Sequence, residues 1–156
     1  MLEVLIAKYP DAAVWAFGDS PQMADELAER VISGAKTATC SAFSCYGGNE
    51  PLPQIGGYSI ILNGADTPVC VIRTTTLLLI RFNEVTEALA AREGEGDLSL
   101  VYWQREHQAF FTREGNFSED MELYWVTRSH NPARKLYDRL ATQDDVVRYS
   151  VRLNTD

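Results

Sequence analysis

Long apolar runs, paired metal ligands and net positive charge are all scarce in these 156 residues. No apolar stretch reaches the roughly 18 residues that a bilayer-spanning helix needs. The start, Met1-Leu2-Glu3-Val4-Leu5-Ile6-Ala7-Lys8, has no basic lead before its apolar residues and does not read as a secretory signal. Cysteine is limited to Cys40, Cys45 and Cys70, an odd set without a disulfide framework, read here as reduced cytosolic thiols. Cys40 and Cys45 lack a second ligand pair, and histidine is limited to His107 and His130, so a structural zinc site is not expected. Internal repeats and low-complexity tracts are missing too. The formal net charge is -8, which argues against broad electrostatic binding to nucleic acid, since that needs Lys and Arg to displace phosphate counterions. Residues 1–127 carry -10 and residues 128–156 carry +2. A small, weakly charged substrate suits the acidic part better than a long polyanion.

What is present is ordinary soluble-domain material, 46% hydrophobic and 23% charged, in a length that suits one domain with a real core. After an apolar start, Ser20-Pro21 is a helix opening, with Ser as N-cap and Pro at the first helical position. Met23, Leu27 and Val31 follow at spacing four as one apolar stripe, and Gly34 is placed to end the helix in a left-handed conformation. Residues 36–43 read as a strand, 47–53 as a loop and 58–62 as a strand with a turn after it. Residues 69–80 are rich in β-branched side chains and read as one strand, or two with a bend. A short helix is expected over 84–92. It runs into Glu93-Gly94-Glu95-Gly96-Asp97, whose glycines make a loop able to hold a carboxylate in place. Asp97 is expected to cap a helix over 98–114, in which Trp103, His107, Phe110 and Phe111 share a face. Residues 121–128 read as a strand, 131–140 as a helix and 146–153 as a strand.

The stretch with chemical potential is Ser33-Gly34-Ala35-Lys36-Thr37-Ala38-Thr39-Cys40, where a helix hands over to a strand. A lysine of lowered pKa can take the proton of a threonine hydroxyl, which then attacks a carbonyl. In a regular strand, residues three apart face opposite ways, so pairing Lys36 with Thr39 requires a bend near Thr37. The same residues also suit an exposed lysine beside strand-forming threonines.

Several separate motifs, in order, resemble the ASCH family: Phe17-Gly18-Asp19-Ser20, Gly34-x-Lys36-Thr37-x-Thr39, Gly56 before a strand, Val69-Cys70-Val71-Ile72-Arg73-Thr74, Glu93-Gly94-Glu95-Gly96-Asp97, and Tyr102-Trp103 with His107 and Phe110-Phe111. The resemblance implies an α+β fold, a PUA-like β-barrel with helices packed around it, over residues 1–128. A helix–strand extension would follow over 129–156. That extension looks like the end of a GNAT acetyltransferase, but the glycine-rich turn which such a fold needs for acyl-CoA is not found upstream.

Some ASCH proteins remove acyl groups from the exocyclic nitrogen of cytosine, and others are described as ribonucleases or RNA binders. For the amidohydrolases the resemblance implies Lys36, Thr39 and Glu93 as the catalytic residues, with Glu95 a rival for the third position. Phe17, Asp19, Trp103 and His107 would meet the substrate, an N4-acylated cytosine or cytidine. No metal or organic cofactor is implied, and a cytoplasmic location is expected. In this scheme neutral Lys36 accepts the Thr39 proton, which asks its pKa to fall from about 10.4 to roughly 7–8. Apolar burial lowers a lysine pKa and a nearby carboxylate raises it, so Glu93 is expected not to be a tight partner of Lys36 but to bond the cytosine or relay a proton. Two rival readings are an RNA-binding module or ribonuclease, disfavoured by the acidic body, and a non-catalytic protein that forms a homodimer through its tail.

Overall fold

The computed structural model describes residues 1–46, 52–115 and 117–129. Its elements run α1 (Leu2–Lys8), β1 (Ala13–Ala16), α2 (Pro21–Ile32), β2 (Ala38–Ala42), β3 (Tyr58–Leu62), β4 (Pro68–Arg81), α3 (Glu87–Arg92), α4 (Leu100–Arg113) and β5 (Glu122–Ser129). The five strands form one sheet in the order β1-β3-β4-β5-β2, so β1 and β2 are its edges. β1 pairs with β3 in parallel, and every other pairing is antiparallel. β4 serves both halves of the sheet: residues 68–73 pair with β3 and residues 73–81 with β5. A register shift between Thr74 and Thr76 marks a bulge, which bends a strand and raises its twist. The sheet curls into a half-barrel, as expected for the PUA-like α+β class.

Strand alternation gives the sheet two unlike faces. Over part of one face, α2 lays Ala28, Val31 and Ile32 against Ile61, Cys70 and Ile72. On the opposite face, α1 packs Leu5 against Ile60 and Val71, while Trp103 and Phe111 of α4 pack against Leu123 and Trp125. β2 separates the two environments. Its Ala38 and Ala42 are core residues, whereas Thr39 and Ser41 border open space.

Local chemistry sets the ends of the elements. Ser20 Oγ accepts the Met23 N–H at the start of α2, Pro21 occupies the first turn, and Gly34 takes a φ of +84° just past the end, all as the sequence predicts. Elsewhere the boundaries differ. α1 and β1 stand where only an apolar start is expected. β2 begins at Ala38 rather than 36, and a 3₁₀ turn, Phe43–Cys45, follows it. The helix expected over 84–92 is divided into a 3₁₀ turn, Phe82–Glu84, and α3, which Thr86 caps. α4 is capped by Ser99, not Asp97: Ser99 Oγ accepts the Tyr102 N–H, and Asp97 instead accepts the Ser99 N–H in a local turn. The helix expected over 131–140 and the strand over 146–153 lie outside the described residues. No described helix is long and apolar enough to cross a membrane.

Candidate active site

The chain bends near Thr37, as a pairing of Lys36 with Thr39 requires, but among the described residues no hydrogen bond joins the two side chains. Beyond Gly34 the chain keeps turning, with the Lys36 N–H bonded to the Arg30 carbonyl at 2.9 Å and the Thr37 N–H to the Arg92 carbonyl at 2.8 Å. Lys36 is therefore outside the pleat of β2 and sends its side chain inward, where it is 3% exposed. Its Nζ donates to Glu93 Oε2 at 2.6 Å, to the Glu93 carbonyl at 3.2 Å and to Glu95 Oε1 at 3.4 Å. Glu93 follows α3 and is 2% exposed. Gly94, at φ +70°, lets this loop close against the chain at Ala35, because a Cβ there would overlap the Ala35 carbonyl.

Glu93 also caps the free edge of the sheet. Its Oε1 accepts the N–H of Cys40 at 3.1 Å, a donor that β5 leaves unused on the outer side of β2. His107 Nε2 is 3.5 Å from the same oxygen. The other ring nitrogen, Nδ1, lies 2.9 Å from the Trp103 carbonyl. A carbonyl only accepts, so Nδ1 carries a proton in this contact. The imidazole stacks on the Trp103 indole, with centroids 4.3 Å apart and planes 18° from parallel.

The charges in this cluster are mutually dependent. Burial alone pulls the Lys36 ammonium down, but Glu93 and Glu95 outweigh it and leave its pKa above the ordinary 10.5. Burial alone pushes Glu93 up, yet the Lys36 charge and His107 hold it well below the ordinary carboxylate range. The Cys40 thiol is pushed well up, first by burial and then by the Glu93 charge. Cys40, Glu93 and His107 offer ligand atoms within 4.8 Å of one another, a set that suits zinc in type. A divalent ion there would meet the Lys36 ammonium on the same carboxylate and a thiol that resists ionisation. Charge pairing accounts for the cluster without a metal.

On the other face of β2 lies a cavity of about 1070 Å³. Thr39, Ser41, Ser59, Thr74 and Arg128 line it, with Tyr9, Trp15, Tyr46 and Tyr58 as aromatic wall. The pairing Thr39↔Val126 places Thr39, Val126 and Arg128 on one face, so the cavity floor is shared by β2 and β5.

The sequence pattern of the ASCH domain matches residues 13–127, which include Lys36, Thr39, Cys40, Glu93 and His107. The chain belongs to the ASCH domain family. It is 34% identical to an ASCH domain from Lactobacillus crispatus, covering 80% of this chain and 82% of that one, with a TM-score of 0.73. It is 36% identical to a protein from Enterococcus faecalis, covering 83% of this chain and 88% of that one, with a TM-score of 0.72. An ASCH protein from Zymomonas mobilis, 14% identical over 92% of this chain and 95% of its own, shares the fold with a TM-score of 0.54. No curated protein matches the chain.

Within this ASCH domain the residues expected at the site separate into four places. Lys36 and Glu93 meet directly, in the tight pair that the sequence reasoning argued against, and Lys36 is raised rather than lowered in pKa. The expectation failed because it gave apolar burial the larger effect, whereas the charge of Glu93, and after it that of Glu95, outweighs burial. Thr39 stands on the cavity wall. Phe17 and Trp103, expected to flank a substrate ring, are 4% and 2% exposed and belong to the core. Trp103 packs between Phe82 and Trp125 with centroids 5.2 and 5.7 Å away, which leaves it no face for a ligand. Asp19 is exposed just before α2 and off the cavity wall, and His107 faces Glu93 instead of the cavity. On the aromatic wall, sequence reasoning missed Tyr46 and Tyr58, and it favoured the core over a pocket wall for Trp15. Alternation would have found Ser41 from Thr39, but Tyr58 and Trp15 reach the cavity only through the β1-β3 pairing.

Proposed function

We propose that this ASCH domain is an amidohydrolase that removes the acyl group from N4-acylated cytosine or cytidine. Thr39 is the nucleophile, activated by Lys36 and Glu93 acting together. The observation that carries this reading is the buried Lys36–Glu93 pair, 2.6 Å apart, docked on the edge of the strand whose Thr39 opens to the large cavity. In the resting site the proton belongs to Lys36. The amine becomes a base by passing that proton across the short bond to Glu93 Oε2, which keeps the pair neutral overall. Lys36 then takes the Thr39 hydroxyl proton as Oγ1 bonds to the acyl carbon. Glu93 returns its proton to N4 as the C–N bond breaks, which releases cytosine and leaves an ester on Thr39. Water hydrolyses the ester to the carboxylic acid and restores the hydroxyl.

The deciding experiment offers the purified protein a panel of N4-acylated cytosines and cytidines. Hydrolysis is expected, with an acyl adduct on Thr39 detectable by mass spectrometry after rapid quenching. Lys36→Ala and Thr39→Ala should each abolish turnover. Wild-type-like turnover by either folded variant rules the mechanism out.

A further inference from the structure

Arg128 is a charged group on the cavity wall that this chemistry does not use. Its Cζ sits 4.9 Å over the ring of Trp15, so one face of the guanidinium is covered. Nη1 reaches Ser59 Oγ at 3.4 Å, a long bond, and Nε is buried with no partner among the described residues. No described carboxylate lies within ion-pair distance of it. Burial lowers its pKa to about 10, with Tyr46 opposing, so it stays cationic at neutral pH. A half-buried cation without a counter-charge among the described residues is costly to maintain. The backbone holds this one in place: its N–H bonds to the Thr37 carbonyl at 2.9 Å, and it sits opposite Thr74 of β4 in the sheet.

We propose that Arg128 is an anion-recognition residue, which binds a phosphate or carboxylate group carried by the substrate that Thr39 attacks. A guanidinium presents parallel donors that match two oxygens of such a group, and its contact with the Trp15 ring limits where they are offered. Thr39 and Arg128 share one face of the β2–β5 pair, so a single ligand can meet both. The cavity, about 1070 Å³, matches the upper end of sites for drug-sized ligands, roughly 300–1,000 Å³, and has room beyond a lone nucleobase. The anion has two sources: a 5′-phosphate on the ribose, or a carboxylate at the far end of the acyl group. The substrate identity rests on the amidohydrolase reading, whereas the anion site rests on Arg128 alone.

The test has a binding arm and a kinetic arm. Calorimetry at fixed ionic strength compares cytidine, cytidine 5′-monophosphate and succinate. Steady-state assays compare kcat/KM for N4-acetylcytidine, its 5′-monophosphate and N4-succinylcytidine. One anionic class is expected to exceed its neutral counterpart at least tenfold in both arms, and whichever class does so names the source. Arg128→Gln should bring that ratio close to one, and Arg128→Lys should retain part of it. If Arg128→Gln does not fold, Arg128→Met, which keeps an apolar stem against Trp15, replaces it. Equal handling of neutral and anionic compounds by the wild type, or an undiminished ratio in the folded variant, overturns the proposal. Anion binding that depends on Arg128 without turnover of any acylated compound would leave this site standing and discard the amidohydrolase instead.

Discussion

The Lys36–Glu93 pair sets stability and chemistry from the same two side chains, and substitutions can separate the roles. Removing one partner of a buried pair costs about 3–5 kcal/mol, because the other charge is stranded. Glu93→Gln is expected near the lower end, about 3 kcal/mol, since Glu95 still reaches Lys36. The double variant Lys36→Met with Glu93→Gln strands no charge. It should recover most of that loss in urea unfolding while remaining inactive, and a double variant that regains turnover would remove the pair from the mechanism. The pH dependence follows from the two shifts. Glu93 is held below its ordinary 4.5, so its contribution is in force above that value and drains as pH falls. Lys36 is held above its ordinary 10.5, so its contribution is in force below that value and drains as pH rises. Urea midpoints measured from about pH 3 to about pH 11 should therefore fall at both ends in the wild type and vary less in the double variant.

At the level of elements, the site depends on how closely the loop after α3 approaches the chain between α2 and β2. Gly94 controls that approach. Gly94→Ala would strain a left-handed residue and push a Cβ into the Ala35 carbonyl, whereas Gly115→Ala at φ +77° meets the same strain with nothing within 4 Å. The strain alone costs about 1–2 kcal/mol. Gly115→Ala should show only that, and Gly94→Ala should lose more stability and most of its activity, because Glu93 moves with the loop. Equal loss in both variants by thermal unfolding would show that close approach is unimportant. The sequence made α2 readable from end to end, since Ser20, Pro21 and Gly34 each fix a terminus by local chemistry. It also indicated Glu93 and Lys36, whose loops are marked by glycine. It did not reveal α1 or β1, which are 7 and 4 residues long and owe their structure to packing on β3. The misplaced cap has a similar cause: Asp97 and Ser99 are both good caps, and the choice between them depends on Leu98 entering the left-handed region at φ +67°. The cavity was illegible because its walls come from five strands joined only by pairing.

Taken whole, the molecule puts an ion-paired, water-poor cluster at one edge of β2 and an open cavity beside Thr39 on the other side, with Arg128 on the inner wall of that cavity and Lys8 also lining it, inside an otherwise acidic body. That distribution predicts how ionic strength should act. A ligand held by one guanidinium displaces about one counterion, so its affinity should fall with a logarithmic salt slope of roughly -1 or shallower, while a polyanion bound over several phosphates falls several times more steeply. The first 127 residues carry -10, which repels an extended phosphate backbone before it can reach the cavity. Binding of cytidine 5′-monophosphate and of a single-stranded RNA of about ten nucleotides, each titrated from about 50 to about 300 mM salt, separates these cases. The mononucleotide should bind with the shallow slope, and the RNA should bind no more tightly than the mononucleotide at any salt. RNA affinity that exceeds it, with a steep slope, would mean that the basic residues from 128 onward recruit nucleic acid, and the ribonuclease or RNA-binding reading would then account for the cavity better than the amidohydrolase does.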